Sequence, residues 1–299
     1  MEMPCYGPLD GWRHRETNGF TMNPHFAQRD APLTVPCGQC IGCRLERSRQ
    51  WAVRMVHEAS CHEDNCFITL TYNDEHLPYQ NTLVRSDLVK FIKRLKKNTK
   101  TAFRYYYCGE YGETTQRPHY HACLFGYKPD DPSLFSTNGE HKLYESPTLT
   151  SNWGMGHATF GELTFDTAAY TARYVTKKIT GDAAEEHYRV VDDDTGEIFY
   201  RTPEFNGMSR GGKTGLGGIG SQWLKKYGKD TYDKDEVILQ GRSMQPPKAY
   251  DRIFEHTDPQ TWERAQAIRS ARPRVERTDR QLRAASVIAT SKLKLREFQ

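Results

Sequence analysis

Nowhere in its 299 residues does this sequence hold an apolar run near the ~18–20 residues that a membrane-crossing helix needs, and no charged-then-apolar leader opens it. A helical membrane protein is excluded, no membrane partner is expected, and the chain is expected to stay in the cytoplasm where it is made. Charge of one sign is also scarce: 42 Lys and Arg against 38 Asp and Glu leave a formal +4. So small an excess says little about partners until its distribution is read. Hydrophobic residues make up only 36% and mean hydropathy is −0.81, a polar but foldable composition. The chain is long enough to bury a core and to hold one large domain or a catalytic domain with an appendage.

One motif lacks its context. Gly207-x-x-x-x-Gly212-Lys213-Thr214 fits a phosphate-binding loop, but such a loop needs a helix starting at its Lys-Thr pair, and Gly215-Leu216-Gly217-Gly218-Ile219-Gly220 follows instead. Only 85 residues remain beyond Thr214, too few for a typical nucleotide-binding core. The match is read as coincidence, and the segment as a flexible loop near DNA backbone.

Eight cysteines are present, and in a cytosolic chain they argue against a disulfide framework. Three form Cys37-x-x-Cys40-x-x-Cys43, a spacing that lets tight turns aim several sulfurs at one point. A structural zinc is one reading, with Cys61, Cys66, Cys5 or His57 as the fourth ligand; plain reduced thiols are the other. The Cys-Pro that follows bacterial iron–sulfur motifs is missing.

The stretch that organises the chain is Arg117-Pro118-His119-Tyr120-His121-Ala122-Cys123-Leu124-Phe125-Gly126. Alternate strand residues point to one face, so His119 and His121 project together. Upstream, Tyr105-Tyr106-Tyr107-Cys108-Gly109-Glu110 reads as a second strand, joined through a polar hairpin loop over 112–116. An antiparallel partner places Glu110 beside the histidines, with Glu113 at similar reach. Two imidazoles and a carboxylate with open positions suit Mg²⁺ or Mn²⁺ bound for Lewis-acid work on phosphate. Residues 166–181 read as a helix between an Asp166 N-cap and Gly181, with Ala168, Ala172, Val175 and Ile179 on one stripe. Tyr170, Tyr174, Lys177 and Lys178 fall on the other stripe, so the tyrosines are not placed as core residues.

Around this pair of segments, residues 1–35 read as an irregular arm and 44–60 as a helix with Arg44, Arg47, Arg49 and Arg54 spread over its outer surface. Cys66 to Tyr72 reads as a strand and 86–97 as a helix with Leu88, Phe91, Ile92 and Leu95 on one side. Residues 85–104 hold eight basic residues against one acidic, a density that fits nucleic-acid backbone contacts through Lys90, Lys93, Arg94 and Lys97. Arg173 joins them as a DNA-binding candidate. A polar insertion is expected over 128–153, a strand over 156–163 and an exposed loop or small hairpin over the acidic 182–197. From Asp258-Pro259 the sequence turns helical, with a break near Pro273 and ten basic against three acidic residues over 264–299. The order strand, helix, strand, strand, strand, helix predicts an α+β, ferredoxin-like antiparallel sheet with helices on one face. The expected domains are 36–250, comprising a Cys-rich entry over 36–62, a core over 63–181 and an acidic, Gly-rich extension over 182–250, followed by a basic helical tail over 251–299.

Together these residues resemble the two-tyrosine HUH endonucleases that start rolling-circle replication of single-stranded DNA. Cys66-Phe67-Ile68-Thr69-Leu70-Thr71-Tyr72 is similar to the family's first motif, Pro118-His119-Tyr120-His121 to its second and Tyr170-x-x-x-Tyr174-x-x-Lys177 to its third. Pro36-Cys37-Gly38-Gln39-Cys40-Ile41-Gly42-Cys43-Arg44, with Arg47-Ser48-Arg49-Gln50-Trp51-Ala52, resembles the replication initiators of microviruses, most closely the gokushovirus branch. The resemblance covers 36 to about 225 and also implies the fold just described. It implies metal on His119, His121 and Glu110, nucleophilic tyrosines at Tyr170 and Tyr174, and Lys177 or Lys178 near the phosphate. Tyr174, three residues before Lys177, matches the spacing of single-tyrosine relatives and is expected to be the more indispensable. The implied function is metal-dependent, site-specific nicking and rejoining of single-stranded origin DNA in a bacterial host, alongside host helicase and polymerase. A noncatalytic single-stranded nucleic-acid-binding module with structural zinc is the alternative.

Overall fold

The structure, a computed structural model, describes residues 5–139, 141–179, 181–192, 194–210, 217–273 and 277–297; of 138, 174–177 and 294–297 it describes the backbone alone. The chain divides into two compact units, Met1–Arg47 with Ala267–Gln299, and Ser48–Gln266.

The first unit holds β1 (Leu9–His14), β2 (Phe20–Thr21) and β3 (Ala27–Val35), which form an antiparallel sheet in the order β2-β1-β3. An irregular arm is expected here from the scattered Pro, Gly and Asn. The strands escape sequence reading because they are short and mostly exposed, so no face alternates strongly enough to mark them. Helix α1 (Ile41–Ala59) starts in this unit and continues into the second.

The second unit is built on a seven-stranded sheet, antiparallel at every pairing. Its first elements are β4 (Asn65–Tyr72), α2 (Arg85–Thr99), β5 (Arg104–Tyr111), β6 (Pro118–Phe125), β7 (Ser133–Asn138), β8 (His141–Glu145) and α3 (Pro147–Trp153). Then come β9 (Gly156–Gly161), α4 (Phe165–Lys177), α5 (Ala183–Tyr188), β10 (Arg189–Val191), β11 (Ile198–Tyr200) and β12 (Phe205–Met208). After α6 (Ser221–Lys234), β13 (Val237–Leu239), β14 (Arg242–Met244) and α7 (Lys248–Thr257), helix α8 (Pro259–Ala271) leads back to the first unit and α9 (Asp279–Glu297). Strand order in the large sheet is β12-β5-β6-β4-β9-β8-β7, which puts β6 near its middle.

The expected α+β sheet with flanking helices is present, but helices cover both faces rather than one. Alternation along the strands builds two cores. Ile68, Leu70, Tyr107, Tyr120, Ala122, Leu124 and Phe160 pack with Leu88, Phe91, Ile92 and Leu95 of α2 and Leu149 and Trp153 of α3. On the opposite face, Phe67, Tyr106, Cys123 and Phe125 pack with Met55 of α1 and Ala168 and Ala172 of α4. The expected polar insertion contributes β7, β8 and α3, and β8 pairs with β9 to extend the sheet. The acidic segment forms α5 and the β10-β11 hairpin. Gly207, the first residue of the loop pattern rejected above, lies within β12 with its α-carbon against the Tyr107 ring. Gly212, Lys213 and Thr214 lie outside the described residues.

Candidate active site

Three neighbouring strands bring the site together. In the β5-β6 register Glu110 lies opposite His119 and Cys108 opposite His121, so the carboxylate can reach both rings on the α4 side of the sheet. Glu110 Oε1 sits 2.7 Å from His119 Nε2 and 2.9 Å from His121 Nε2. Glu110 and His121 are buried, while His119 stands at the half-open rim. Glu113, the other acidic candidate, is exposed on the hairpin turn and is not among the converging ligand atoms.

Outer contacts fix both imidazoles. His119 Nδ1 lies 3.2 Å from the Arg117 carbonyl oxygen, which can only accept, so Nδ1 carries a proton. In the neutral ring Nε2 then presents a lone pair to a carboxylate oxygen, and two acceptors 2.7 Å apart need a cation or a shared proton between them. His121 Nδ1 lies 3.0 Å from Thr69 Oγ1 on β4. Burial pushes the Glu110 carboxyl up, but hydrogen bonds and charge from His119 and His121 outweigh it and hold it below the usual carboxylate range. The donor set of two oriented imidazole nitrogens and one ionised carboxylate, with one side open, fits a divalent cation.

Helix α4 is capped by Thr164, whose hydroxyl accepts from Thr167 N while Thr167 Oγ1 accepts from Thr164 N. Asp166, the expected cap, is instead in the first turn, and the helix ends at Lys177 rather than at Gly181. Ala168 and Ala172 are fully buried, and their short side chains let the helix lie close to the sheet. Tyr170 thereby comes edge-on to His121, ring centroids 5.2 Å apart, and edge-on to Phe67 at 6.3 Å. Phe67 in turn stacks on His121 at 5.4 Å. The Arg173 guanidinium lies 5.7 Å from the Tyr170 ring centroid. Lys178 follows as the exposed C-cap. The side chains of Tyr174 and Lys177 lie outside the described residues.

The basic helix expected to hold DNA covers the other face of the sheet. Lys90, Lys93 and Lys97 are exposed on the outer side of α2, Lys90 near Asp87 at 3.7 Å. Arg94 instead serves the fold, because its Nε and Nη2 donate to the carbonyls of Asn152 and Trp153 at 2.9 and 3.0 Å and tie α2 to α3.

A second group of ligand atoms lies in the first unit, where Cys5 joins Cys37, Cys40 and Cys43. Of the four partners open on sequence, Cys61 contacts the His57 carbonyl, Cys66 is sealed in the α2-side core, and His57 stacks on Trp223. Burial pushes the Cys40 thiol up, but N–H groups of Tyr6 and Cys43 bring it down to about 7.

Thr69 is the functional contact that sequence reading misses, because its partner is 52 residues away and only the β4-β6 register joins them.

The family of replication-associated proteins of the ORF2 type matches residues 65–179, the span that holds this site. The chain is 32% identical over 270 residues to "Replication-associated protein VP4" of Bdellovibrio phage phiMH2K, covering 87% of this chain and 80% of that protein. It is 35% identical over 253 residues to "Replication-associated protein ORF2" of Spiroplasma virus 4, covering 79% and 71%. A third relative, "Replication-associated protein ORF4" of Chlamydia phage 1, is 31% identical over 168 residues, covering 53% and 42%. No solved structure matches the chain significantly.

Proposed function

The chain belongs to the phage replication-associated proteins, as a microvirus-like replication initiator, and on that premise we propose that it nicks and rejoins single-stranded origin DNA through a tyrosine. The observation that carries the reading is the convergence of Glu110, His119 and His121 on one point, with the Tyr170 ring against His121. Bound there, Mg²⁺ or Mn²⁺ supplies Lewis-acid polarisation of the scissile phosphate. Glu110, His119 and His121 would hold it; Thr69 and the Arg117 carbonyl would keep the imidazoles turned toward it.

Tyr170 or Tyr174 then attacks phosphorus through its hydroxyl oxygen. The new bond joins tyrosine to the 5′ phosphate, the phosphorus–O3′ bond breaks, and the departing oxygen takes up the proton that tyrosine gives up. One phosphodiester is exchanged for another, so attack by a 3′-OH reverses the step without ATP. Lys177, Lys178 and Arg173 supply positive charge on the helix that carries both tyrosines. A host helicase and polymerase would extend the freed 3′ end. The endonuclease domain is taken as 36–250, with the segment from 251 as a basic appendage.

The test is to incubate the pure chain with single-stranded origin DNA and Mn²⁺ and to look for protein joined to a 5′ end. The expected adduct sits on Tyr170 or Tyr174 and is absent in EDTA. Tight DNA binding with no covalent product in either metal would leave the noncatalytic reading in place.

A further inference from the structure

Among its described residues, the first unit buries only two apolar side chains, Cys5 and Ala27. Its three strands expose most of their residues. So little buried apolar surface cannot offset the entropy of ordering the strands, and units of this kind usually need a metal or disulfide staple.

Four sulfurs stand where such a staple would be. Cys5 Sγ is 3.7 Å from Cys37 Sγ and 3.9 Å from Cys40 Sγ, and the sulfurs of Cys5, Cys37, Cys40 and Cys43 all lie within 4.8 Å of one another. Thiolates at the corners of a tetrahedron with metal–sulfur bonds of ~2.3 Å are ~3.8 Å apart. A disulfide would draw a pair to ~2.05 Å. A four-iron cluster would hold its thiolates farther apart, because each binds a different iron.

The backbone is arranged for thiolates. N–H groups donate to three of the sulfurs: Tyr6 to Cys40 at 3.2 Å, Cys37 to Cys5 at 3.3 Å and Cys40 to Cys37 at 3.3 Å. Gly38 adopts φ +75°, which lets the chain turn tightly between Cys37 and Cys40. Cys40 directly precedes α1 and Cys43 is in its first turn, where the helix dipole favours negative charge. Four thiolates this close repel one another unless a cation sits among them.

We propose that Cys5, Cys37, Cys40 and Cys43 bind one Zn²⁺ in a closed tetrahedral site, which folds the first unit by tying the segment around Cys5 to the start of α1. With four protein ligands the site has no open position, so its role is structural. It is independent of the Glu110, His119 and His121 group, which holds no sulfur.

The experiment uses the full chain, purified reduced and without chelator, with metal content read by plasma mass spectrometry. One zinc per chain is expected, and also in a His119→Ala/His121→Ala double variant, which removes the other metal-binding group from the count. Cys5→Ser and Cys40→Ser should lose the zinc, Cys61→Ser should keep it, and Cys5→His, which preserves a ligand, should retain it. Replacement by Co²⁺ in the unaltered chain should give the intense thiolate-to-cobalt and tetrahedral d–d absorption bands. That spectrum decides the matter should the serine variants fail to fold. Metal-free wild-type protein without a cobalt spectrum, iron in place of zinc, or full zinc occupancy in Cys5→Ser would each overturn the assignment.

Discussion

His121 is held at both ends of its ring, by Glu110 at Nε2 and by Thr69 at Nδ1. Thr69→Val keeps the strand-favouring branched shape but removes the hydroxyl. The Mn²⁺ concentration for half-maximal nicking should rise by about 10- to 100-fold, the usual cost of losing an outer partner of a metal ligand, while the melting temperature stays near wild type. An unchanged metal titration would mean that Thr69 merely fills space. His119→Ala or His121→Ala should abolish cleavage and leave DNA retention in a filter assay mostly intact, since retention rests on basic residues. The histidine pair and Glu110 are legible in the sequence because a period of two fixes which strand residues share a face. Thr69's role and the choice of Cys5 are not, because each depends on segments that meet only in the fold, 52 residues apart for Thr69 and 32 between Cys5 and Cys37.

Helix α4 reaches His121 only because Ala168 and Ala172 let it lie close to the sheet. Ala172→Leu adds bulk where no exposed area exists, so it should cost about 1–3 kcal/mol by overpacking and depress nicking more than stability, because the tyrosines move with the helix. Chemical denaturation and a nicking assay on the same preparation separate the two effects. Elsewhere, His57 docks α6 and α7 on α1: it stacks on Trp223 at 3.5 Å and hydrogen-bonds Tyr250 Oη at 3.1 Å. Burial depresses its imidazole to about 4. Between that value and the ordinary ~6.5 the unfolded chain binds a proton that the folded chain refuses, so stability is full above the higher value and falls as pH drops toward the lower. The loss from this one group should reach about 2 kcal/mol by pH 5, and His57→Phe should remove that share of the pH slope in urea melts at pH 7.5 and 5. Strands β4, β5, β6 and β9 and helices α1, α2 and α4 are legible from strong apolar periodicity. Strands β7 and β8 are not, since Leu134, Phe135 and Leu143 are exposed and leave no one-sided pattern.

Across the whole chain a net charge of +4 conceals eight basic residues against one acidic over 85–104, most of them on α2. That helix packs on the face of the sheet opposite to His119, His121 and α4, with Lys90, Lys93 and Lys97 turned outward from it. A short strand seated on the metal-binding face therefore cannot also touch these lysines, whereas a longer one that wraps round the sheet can. Substrate length should decide what the lysines do. For a long single-stranded origin fragment, replacing all three with Ala should weaken binding of every sequence and lower the salt slope by up to about 2, at ~0.7 for each phosphate no longer neutralised. For an oligonucleotide only a few residues longer than the cleavage site, affinity, salt slope and nicking rate should stay at wild-type values. Binding measured by anisotropy over a salt series with both lengths gives the answer. An equal effect on both lengths would mean that these lysines act through the overall field rather than by touching the strand. No effect on either would make the outer face of α2 a solvated surface with no part in holding DNA, despite the charge density that marks it in the sequence.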